Sequence, residues 1–380
     1  MKSVAIILSG REQFNAYYGG AVARWTHEVY RRMSDGIDAH VFGFPTEEEN
    51  LYSSLEHHTS PVSPICKAMS SIPLARRYED ELWLRTLIRK IRSFDAVHIQ
   101  NRPQWVAVLR RLGYHGRLLL HLHNDHLGHW VGPELDRLAS QLDGLAVCSK
   151  YLMQRFASKS PSLAAKTRVV YNGVDTGLFY PRRELREAKT ILFVGRFDPQ
   201  KGVLQLTRAY AQVLENHPDA VLLIAGSTGF GTHRETEYVR EVRDLAESLM
   251  RSKHAIIRFL GYVHHDRQLP ELFQRATIFA CPSVCQDALP LVSAEAMACG
   301  IPVVGANRGG IPEVLGEAGL VVDPEDTEAL AAALSGLLTK SAYREQLGQA
   351  ALRRCLQMFD WDVIAKDWAS FLEEALLSKS

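Results

Sequence analysis

Long hydrophobic runs are missing from this sequence. No stretch approaches the roughly 18 apolar residues of a membrane-spanning helix, so we expect no transmembrane segment. The apolar residues Met1–Leu8 are too few for a signal peptide and lead directly into Ser9-Gly10-Arg11. We interpret them as the first strand of the fold. Together these absences predict a cytoplasmic protein.

Paired cysteines are also missing, because none of the six cysteines forms a C-x-x-C motif. Cys281 and Cys285 come nearest, but no second pair is present to complete a zinc site. Most of the cysteines lie in apolar segments. We therefore interpret them as reduced core residues.

Net charge is close to zero, with 44 Lys and Arg against 43 Asp and Glu in 380 residues. This balance gives no support to nucleic-acid binding. The two halves differ, since residues 1–183 hold 24 basic and 17 acidic side chains and the remainder holds 20 and 26. The basic first half predicts peripheral contact with anionic lipid at the inner face of a membrane, or with an anionic acceptor. An ordinary solvated surface explains it equally well.

Short apolar runs alternate with helical segments along the whole chain. This alternation is typical of an α/β protein with mainly parallel sheets. The predicted strands lie near 3–8, 38–43, 95–99, 117–122, 144–148, 168–171, 190–195, 220–225, 256–260, 277–281, 301–305 and 319–322. Residues 44–77 contain four prolines and many serines, which predicts an irregular excursion.

The strand pattern restarts after residue 188, and this predicts two doubly wound domains. We expect a Rossmann-like N-terminal domain over 1–175 and a second over 185–358, facing each other across a cleft. A C-terminal helix over 359–380 is expected to cross back to the first domain. Ligands of such sheets bind at the carboxyl ends of the strands.

Two carboxylates in the second half, Asp287 and Glu295, stand eight residues apart. We expect a loop between them and a short helix that Glu295 opens. Carboxylates accept hydrogen bonds from sugar hydroxyls, and free amides at a helix start donate to phosphate oxygens. The segment resembles the E-x7-E signature of the retaining glycosyltransferases of family 4, with Asp287 in place of the first Glu.

Two cations follow the first predicted strand of the second domain, in the segment from Gly195 to Gly202. Arg196 and Lys201 there would neutralise a diphosphate and stabilise its departure. Solvated surface is the alternative for a loop Arg and Lys. Family 4 enzymes have a similar G-R-x4-K-G motif, and this resemblance implies that Arg196 and Lys201 form a diphosphate clamp.

The resemblance extends over nearly the whole chain and implies a GT-B fold, a nucleotide diphosphate sugar as donor, retention at the anomeric carbon, and no metal or other cofactor. It assigns the ribose hydroxyls to Glu295 and the donor-sugar hydroxyls to Asp287. Pro290 replaces a glycine of the family and removes one amide donor. The implied donor-binding set is Gly19, Gly20, Gly195, Arg196, Lys201, Gly226, Tyr262, Val263, Asp287, Leu289, Pro290, Leu291, Val292 and Glu295.

A histidine cluster follows the predicted strand at 117–122, and alternation places His121 and His123 on one face. Three interpretations stay open: a metal-binding H-x-H pair, core histidines, and a sugar contact by His123 as the resemblance implies. The sugar contact would use the ring or the backbone carbonyl. The predicted catalytic set is His123, Arg196, Lys201 and Asp287.

Loop residues of the first domain are candidates for acceptor binding, although packing is the alternative for each aromatic ring. The set is Tyr17, Tyr18, Asn101, Arg102, Asn124 and Asp125. We predict transfer of a sugar, with UDP favoured over GDP by frequency alone, to a hydroxyl of a cell-envelope, polysaccharide or natural-product acceptor. The partners are then a nucleotide sugar and a glycan or small-molecule acceptor.

Three other functions compete with this prediction. A dinucleotide dehydrogenase ranks low because the segment after Gly226 is not G-x-G-x-x-G. A nucleotide-sugar 2-epimerase of the same fold needs acid–base carboxylates, and Asp125 is the only candidate. A non-catalytic sugar-nucleotide-binding protein would keep the pocket without turnover.

Overall fold

Two parallel sheets carry the structure, which confirms the predicted α/β class. The structure is a computed structural model that describes residues 1–8, 12–15, 20–33, 36–43, 52–59, 73–228 and 235–377, with the side chains of 73–79 left out. The chain divides into one unit of Met1–Asn172 with Trp361–Ser380 and a second unit of Gly173–Asp360.

The sheet of the first unit has seven strands in the order β3-β2-β1-β4-β5-β6-β7, all parallel. Central strands such as β4 are buried along their whole length, because helices cover both faces of a parallel sheet. The strands are β1 (Lys2–Ile7), β2 (Ile37–Gly43), β3 (Glu56–Thr59), β4 (Ala96–Gln100), β5 (Arg117–Leu122), β6 (Gly144–Val147) and β7 (Thr167–Val169).

Helices connect these strands, as crossover connections between parallel strands require. They are α1 (Ala21–Tyr30), α2 (Pro73–Ile91), α3 (Gln104–Arg111), α4 (Gly132–Gln141), α5 (Lys150–Ala157) and α6 (Pro161–Ala164). The irregular excursion predicted for 44–77 is wrong in two places, since it contains β3 and the start of α2. The edge strand β3 reads Glu-His-His-Thr and has no apolar residue to mark it.

The sheet of the second unit has six parallel strands in the order β10-β9-β8-β11-β12-β13. The strand order reverses direction between β8 and β11, and such a switch point is where doubly wound sheets bind ligands. The strands are β8 (Thr190–Val194), β9 (Val221–Ala225), β10 (Ile256–Gly261), β11 (Ile278–Cys281), β12 (Val303–Ala306) and β13 (Leu320–Val322).

The helices of the second unit pack on both faces of this sheet. They are α7 (Val203–Asn216), α8 (Glu237–Lys253), α9 (Leu269–Arg275), α10 (Leu291–Ala298), α11 (Ile311–Leu315), α12 (Thr327–Thr339) and α13 (Ser341–Met358). The prediction that Glu295 opens its helix is wrong, because α10 begins at Leu291. Pro290 supplies the N-cap, and a proline there stops the helix from extending further back.

The last helix, α14 (Trp361–Leu377), belongs to the first unit. The ring of Trp368 packs perpendicular to that of Trp25 in α1, with 5.0 Å between centroids. Asp362 accepts a hydrogen bond of 2.6 Å from Arg32. In the part of the chain that the structure describes, no helix combines the length and apolarity needed to cross a bilayer.

Candidate functional site

The carboxyl ends of β8, β9 and β10 approach one another closely around Gly226. Gly226 has a φ of +143°, and a Cβ there would lie 1.7 Å from the carbonyl oxygen of Gly195. Its N–H donates to the carbonyl of Gly261 over 2.7 Å. Only glycine fits this conformation and approach, so the residue joins the three strand ends.

A cavity of about 150 Å³ opens beside this junction. It is lined by Val194, Gly195, Arg196, Ala225, Gly226, Ser227, Tyr262 and Val263. The structure therefore brings together five residues of the predicted donor-binding set. The ring of Tyr262 is about half exposed and is open to contact with a planar ligand.

Lys201 forms an ion pair with Asp287, with 2.5 Å between Nζ and Oδ2. Only about a fifth of each side chain is exposed. Burial by itself would lower the pKa of Lys201, but the charge of Asp287 and the hydrogen bond to it raise that pKa. Lys201 therefore stays cationic, with two further N–H donors available for an anion.

The turn that carries Lys201 is fixed to the end of β11. It is a short 3-10 helix, Pro199–Lys201, that Asp198 caps by accepting from the N–H of Gln200. Gly202 follows with a φ of +73°, and a Cβ there would lie 1.9 Å from the carbonyl oxygen of Pro282. The close approach holds the lysine beside the loop of Asp287.

Backbone hydrogen bonds also hold Asp287 in place. Its carbonyl oxygen accepts from the N–H of Gly310 over 2.7 Å. The side-chain oxygen of the neighbouring Gln286 accepts from the N–H of Gly309 over 2.7 Å. The carboxylate thus projects from a loop with little freedom to move.

Arg196 differs from Lys201 in exposure. Its side chain is 60% exposed, and its ion pair with Asp198 spans 3.3 Å. Water screens such a pair strongly, so the guanidinium can turn towards a ligand at little cost.

Glu295 lies in the second turn of α10 and is 5% exposed. Its Oε1 is 2.7 Å from Nε2 of His265, whose Nδ1 is 2.6 Å from Asp266. Its Oε2 is buried and has no hydrogen-bond partner among the described residues. A buried carboxylate oxygen without a donor is costly, and a ligand hydroxyl would relieve that cost.

The block between the two carboxylates shapes the start of α10. Leu289 and Pro290 are buried, and Leu291 and Val292 are partly exposed in the first helical turn. The first turn of any helix leaves amide N–H groups without intrahelical acceptors, which suits an anion.

In the first unit, His123 lies just past the end of β5 and is 5% exposed. Its Nδ1 is 2.6 Å from Oδ1 of Asn172, and its Nε2 is 2.9 Å from Oε1 of Gln100. Burial lowers the pKa of His123 to about 4, although the hydrogen bond to Asn172 acts to raise it. The neutral ring has a single N–H, so one of the two amides must present its NH₂ group instead of its oxygen.

The neighbours of His123 are held by internal contacts. Asn101 has a φ of +55° and accepts from the N–H of His123 over 2.7 Å. Arg102 stands over the ring of Trp105 at 5.9 Å. Asp125 pairs with Arg155 at 2.9 Å and accepts from the N–H of Gly128, whereas Asn124 is exposed.

The remaining predicted residues immediately precede α1 in the sequence. Tyr17, Tyr18 and Gly19 fall outside the described residues. Gly20 precedes the helix, and there the carboxylate of Glu12 accepts from the N–H of Ala23 over 3.1 Å. Burial raises the pKa of Glu12, whereas the hydrogen bonds from the backbone of Ala23 and Gly20 act to lower it. A carboxylate of the chain itself therefore occupies the start of α1.

His265 is a residue of the candidate site that sequence reasoning missed. It follows β10 in a loop reading His-His-Asp, which carries no motif. Its link to Glu295 joins residues 30 positions apart, and nothing in the spacing reveals it.

Comparisons with known proteins show the family to which the chain belongs. The model of "Glycosyl transferases group 1" matches residues 181–354, and that of "Glycosyltransferase Family 4" matches 18–178. The spore coat protein SA of Bacillus subtilis is 32% identical over 78% of this chain and 82% of its own length. The alpha-maltose-1-phosphate synthase of Mycobacterium tuberculosis is 32% identical over 94% of this chain and 95% of its own.

Among solved structures, Anabaena Alr3699/HepE in complex with UDP-glucose superposes with a TM-score of 0.73 at 20% identity. The match covers 98% of this chain and 100% of that one. The architecture is thus the GT-B fold. The chain belongs to the family 4 (group 1) glycosyltransferases.

Proposed function

We propose that this glycosyltransferase moves a sugar from a UDP-sugar to a hydroxyl of a cell-envelope, polysaccharide or natural-product acceptor, with retention at the anomeric carbon. The observation that carries the proposal is the set of fixed charges near β11. Lys201 is held cationic by Asp287, and Glu295 is held by His265, with no hydrogen-bond partner for its Oε2 among the residues that the structure describes.

Each group of this set has a task in donor binding. Lys201 donates one N–H to Asp287 and the others to the diphosphate. The exposed Arg196 adds a second cation. Glu295 accepts a ribose hydroxyl at Oε2, because His265 occupies Oε1. Asp287 accepts a hydroxyl of the donor sugar at its other carboxylate oxygen.

The leaving diphosphate gains negative charge as the glycosidic bond breaks. Preorganised cations and helix amides stabilise such charge without reorganisation in the transition state. We propose that they replace the divalent ion that other transferases use, and that the departing phosphate deprotonates the acceptor on the same face. His123 remains the proposed sugar contact, through its backbone carbonyl. Both its ring nitrogens already have partners, whereas the carbonyl oxygen, which accepts from Sγ of Cys148 over 3.5 Å, has a second lone pair.

UDP is the preferred nucleotide because structures with this fold contain it. Alr3699/HepE was solved with UDP and with UDP-glucose. At 20% identity this likeness supports the donor class and does not identify the sugar.

The contacts of Asp125 count against the epimerase alternative. An acid–base carboxylate needs freedom to exchange protons with a substrate, whereas Asp125 is engaged by Arg155 and by the N–H of Gly128. The non-catalytic alternative is kept as an outcome of the test, because one relative bears the name of a spore coat protein.

The test is product analysis with a panel of UDP- and GDP-sugars, with and without EDTA. Release of UDP with slow donor hydrolysis, or transfer to an added acceptor with the anomeric configuration kept, supports the proposal. An epimerised sugar nucleotide, binding without turnover, an inverted product or loss of activity in EDTA would each contradict a stated part of it.

A further inference from the structure

A second cluster of charged and imidazole side chains lies at the edge of the first sheet, on β2 and β3. The register pairs His40 with Glu56 and Phe42 with His58. His40, Glu56 and His58 form the group of His, Cys, Asp or Glu residues, among those described, whose ligand atoms all lie within 4.8 Å of one another.

The distances between these atoms match a metal coordination sphere. Nδ1 of His40 is 3.3 Å from Oε2 of Glu56, and Nε2 of His58 is 3.4 Å from Oε1 of Glu56. Ligands bonded to tetrahedral Zn²⁺ at about 2.0–2.1 Å are roughly 3.4 Å apart. Nδ1 of His40 and Nε2 of His58 are hydrogen-bonded to each other at 2.8 Å; a bound ion would replace this proton, and the two nitrogens would separate by about half an ångström.

Asp38 sets the tautomer of His40. Its Oδ1 lies 3.0 Å from Nε2 of His40, and an ionised carboxylate can only accept a hydrogen bond. The ring proton therefore sits on Nε2, and the lone pair of Nδ1 points towards Glu56 and His58. A carboxylate that orients a histidine in this way is the usual support of a metal ligand.

Aromatic packing fixes both imidazole rings. His58 stacks on Phe42 with 4.8 Å between centroids, and His40 meets the edge of Phe94 at 5.1 Å. Each ring is thus held with one nitrogen facing the carboxylate of Glu56.

We propose that His40, Glu56 and His58 bind one divalent transition-metal ion, with Zn²⁺ as the best match, in an open site that water completes. Two imidazoles and one carboxylate suit Zn²⁺ and not Mg²⁺, which prefers oxygen ligands. The side chain of Glu56 is 64% exposed, so ions and water reach the site.

The site would serve structure and not sugar transfer. In the sheet order β3 lies four strands and β2 three strands from β5, which is about 14–19 Å at the usual strand spacing. A bound ion would tie the edge strand β3 to β2. This role is compatible with the metal-free chemistry proposed above.

The test is a titration of the full chain, without a histidine tag, with Zn²⁺ by calorimetry and with Co²⁺ by visible absorption. We expect one saturable Zn²⁺ site per chain, Co²⁺ ligand-field bands, a higher melting temperature with Zn²⁺, and none of these with Mg²⁺. His58→Ala and Glu56→Gln should each weaken Zn²⁺ binding at least tenfold. His115→Ala removes an exposed histidine elsewhere and should leave binding unchanged.

Glu56→Gln keeps the shape of the side chain, so it decides the matter if His58→Ala fails to fold. Absence of saturable Zn²⁺ binding by the native chain would overturn the proposal. Equal Zn²⁺ affinity in the native chain and in Glu56→Gln would do so as well.

Discussion

At the ends of the two sheets, a buried basic side chain has its pKa shifted in opposite directions. In the second unit, Lys201 is buried together with Asp287, and the pair raises the pKa of the lysine. In the first unit, His123 is buried among neutral amides, and burial lowers its pKa to about 4. Burial acts against charge in both places, and only the partner differs. The second unit therefore keeps Lys201 charged at the proposed site of the diphosphate donor, whereas His123 in the first unit is a neutral polar group.

The largest effect is expected for Lys201→Ala, which removes the buried cation. Loss of one preorganised charge facing a leaving group commonly costs 10²–10³-fold in rate, so we expect kcat/KM for the donor to fall by about that factor. Lys189→Ala is the matched control, since Lys189 also pairs with an aspartate but at the surface. A similar fall in both variants would contradict the special role of Lys201.

Glu295→Gln should weaken UDP binding by about 10- to 100-fold, because a charge-assisted hydrogen bond to the ribose becomes a neutral one. Calorimetry with UDP measures the change. Glu271→Gln alters an exposed carboxylate that pairs with Arg275, and it should bind UDP normally. An unchanged dissociation constant in Glu295→Gln would show that the ribose is bound elsewhere.

Arg196→Ala should lower donor kcat/KM by about tenfold, less than Lys201→Ala, because exposed charges are screened by water. The same kinetic assay applies, with Arg208→Ala as control for loss of an exposed arginine in an ion pair. If Arg196→Ala proved more damaging than Lys201→Ala, the order of the two cations in the clamp would be reversed.

The smallest effect concerns acid stability and the first unit. Between pH 6.5 and about 4 the unfolded chain binds a proton that folded His123 does not, so the free energy of unfolding falls as pH falls through this window. The slope is at most about 1.4 kcal/mol per pH unit for one such group. Urea unfolding at pH 7.5 and 5 should show a smaller loss in His123→Gln than in His115→Gln. Equal losses would mean that His123 is protonated in the folded state.

Apolar periodicity predicted most of the fold. Strands such as β5 and β8 consist mostly of buried apolar residues, and these apolar runs are visible in the sequence. The polar edge strand β3 escaped detection because nothing apolar marks it. The ends of helices and strands were predicted less accurately than their existence, as the start of α10 at Leu291 illustrates.

The candidate site was predictable where chemistry sits within one segment. Arg196 and Lys201 share a turn, and Asp287 and Glu295 share a loop and helix, so their spacing together with the family resemblance pointed to them. Pairings across the sheet were not predictable. The contact of His265 with Glu295 and that of Lys201 with Asp287 depend on how strands are ordered, which a single sequence does not state.

The most direct test of the central claim is a crystal structure with UDP bound. The account predicts a phosphate oxygen within about 3 Å of Nζ of Lys201 and a ribose hydroxyl at the same range from Oε2 of Glu295. UDP bound away from both side chains would contradict it.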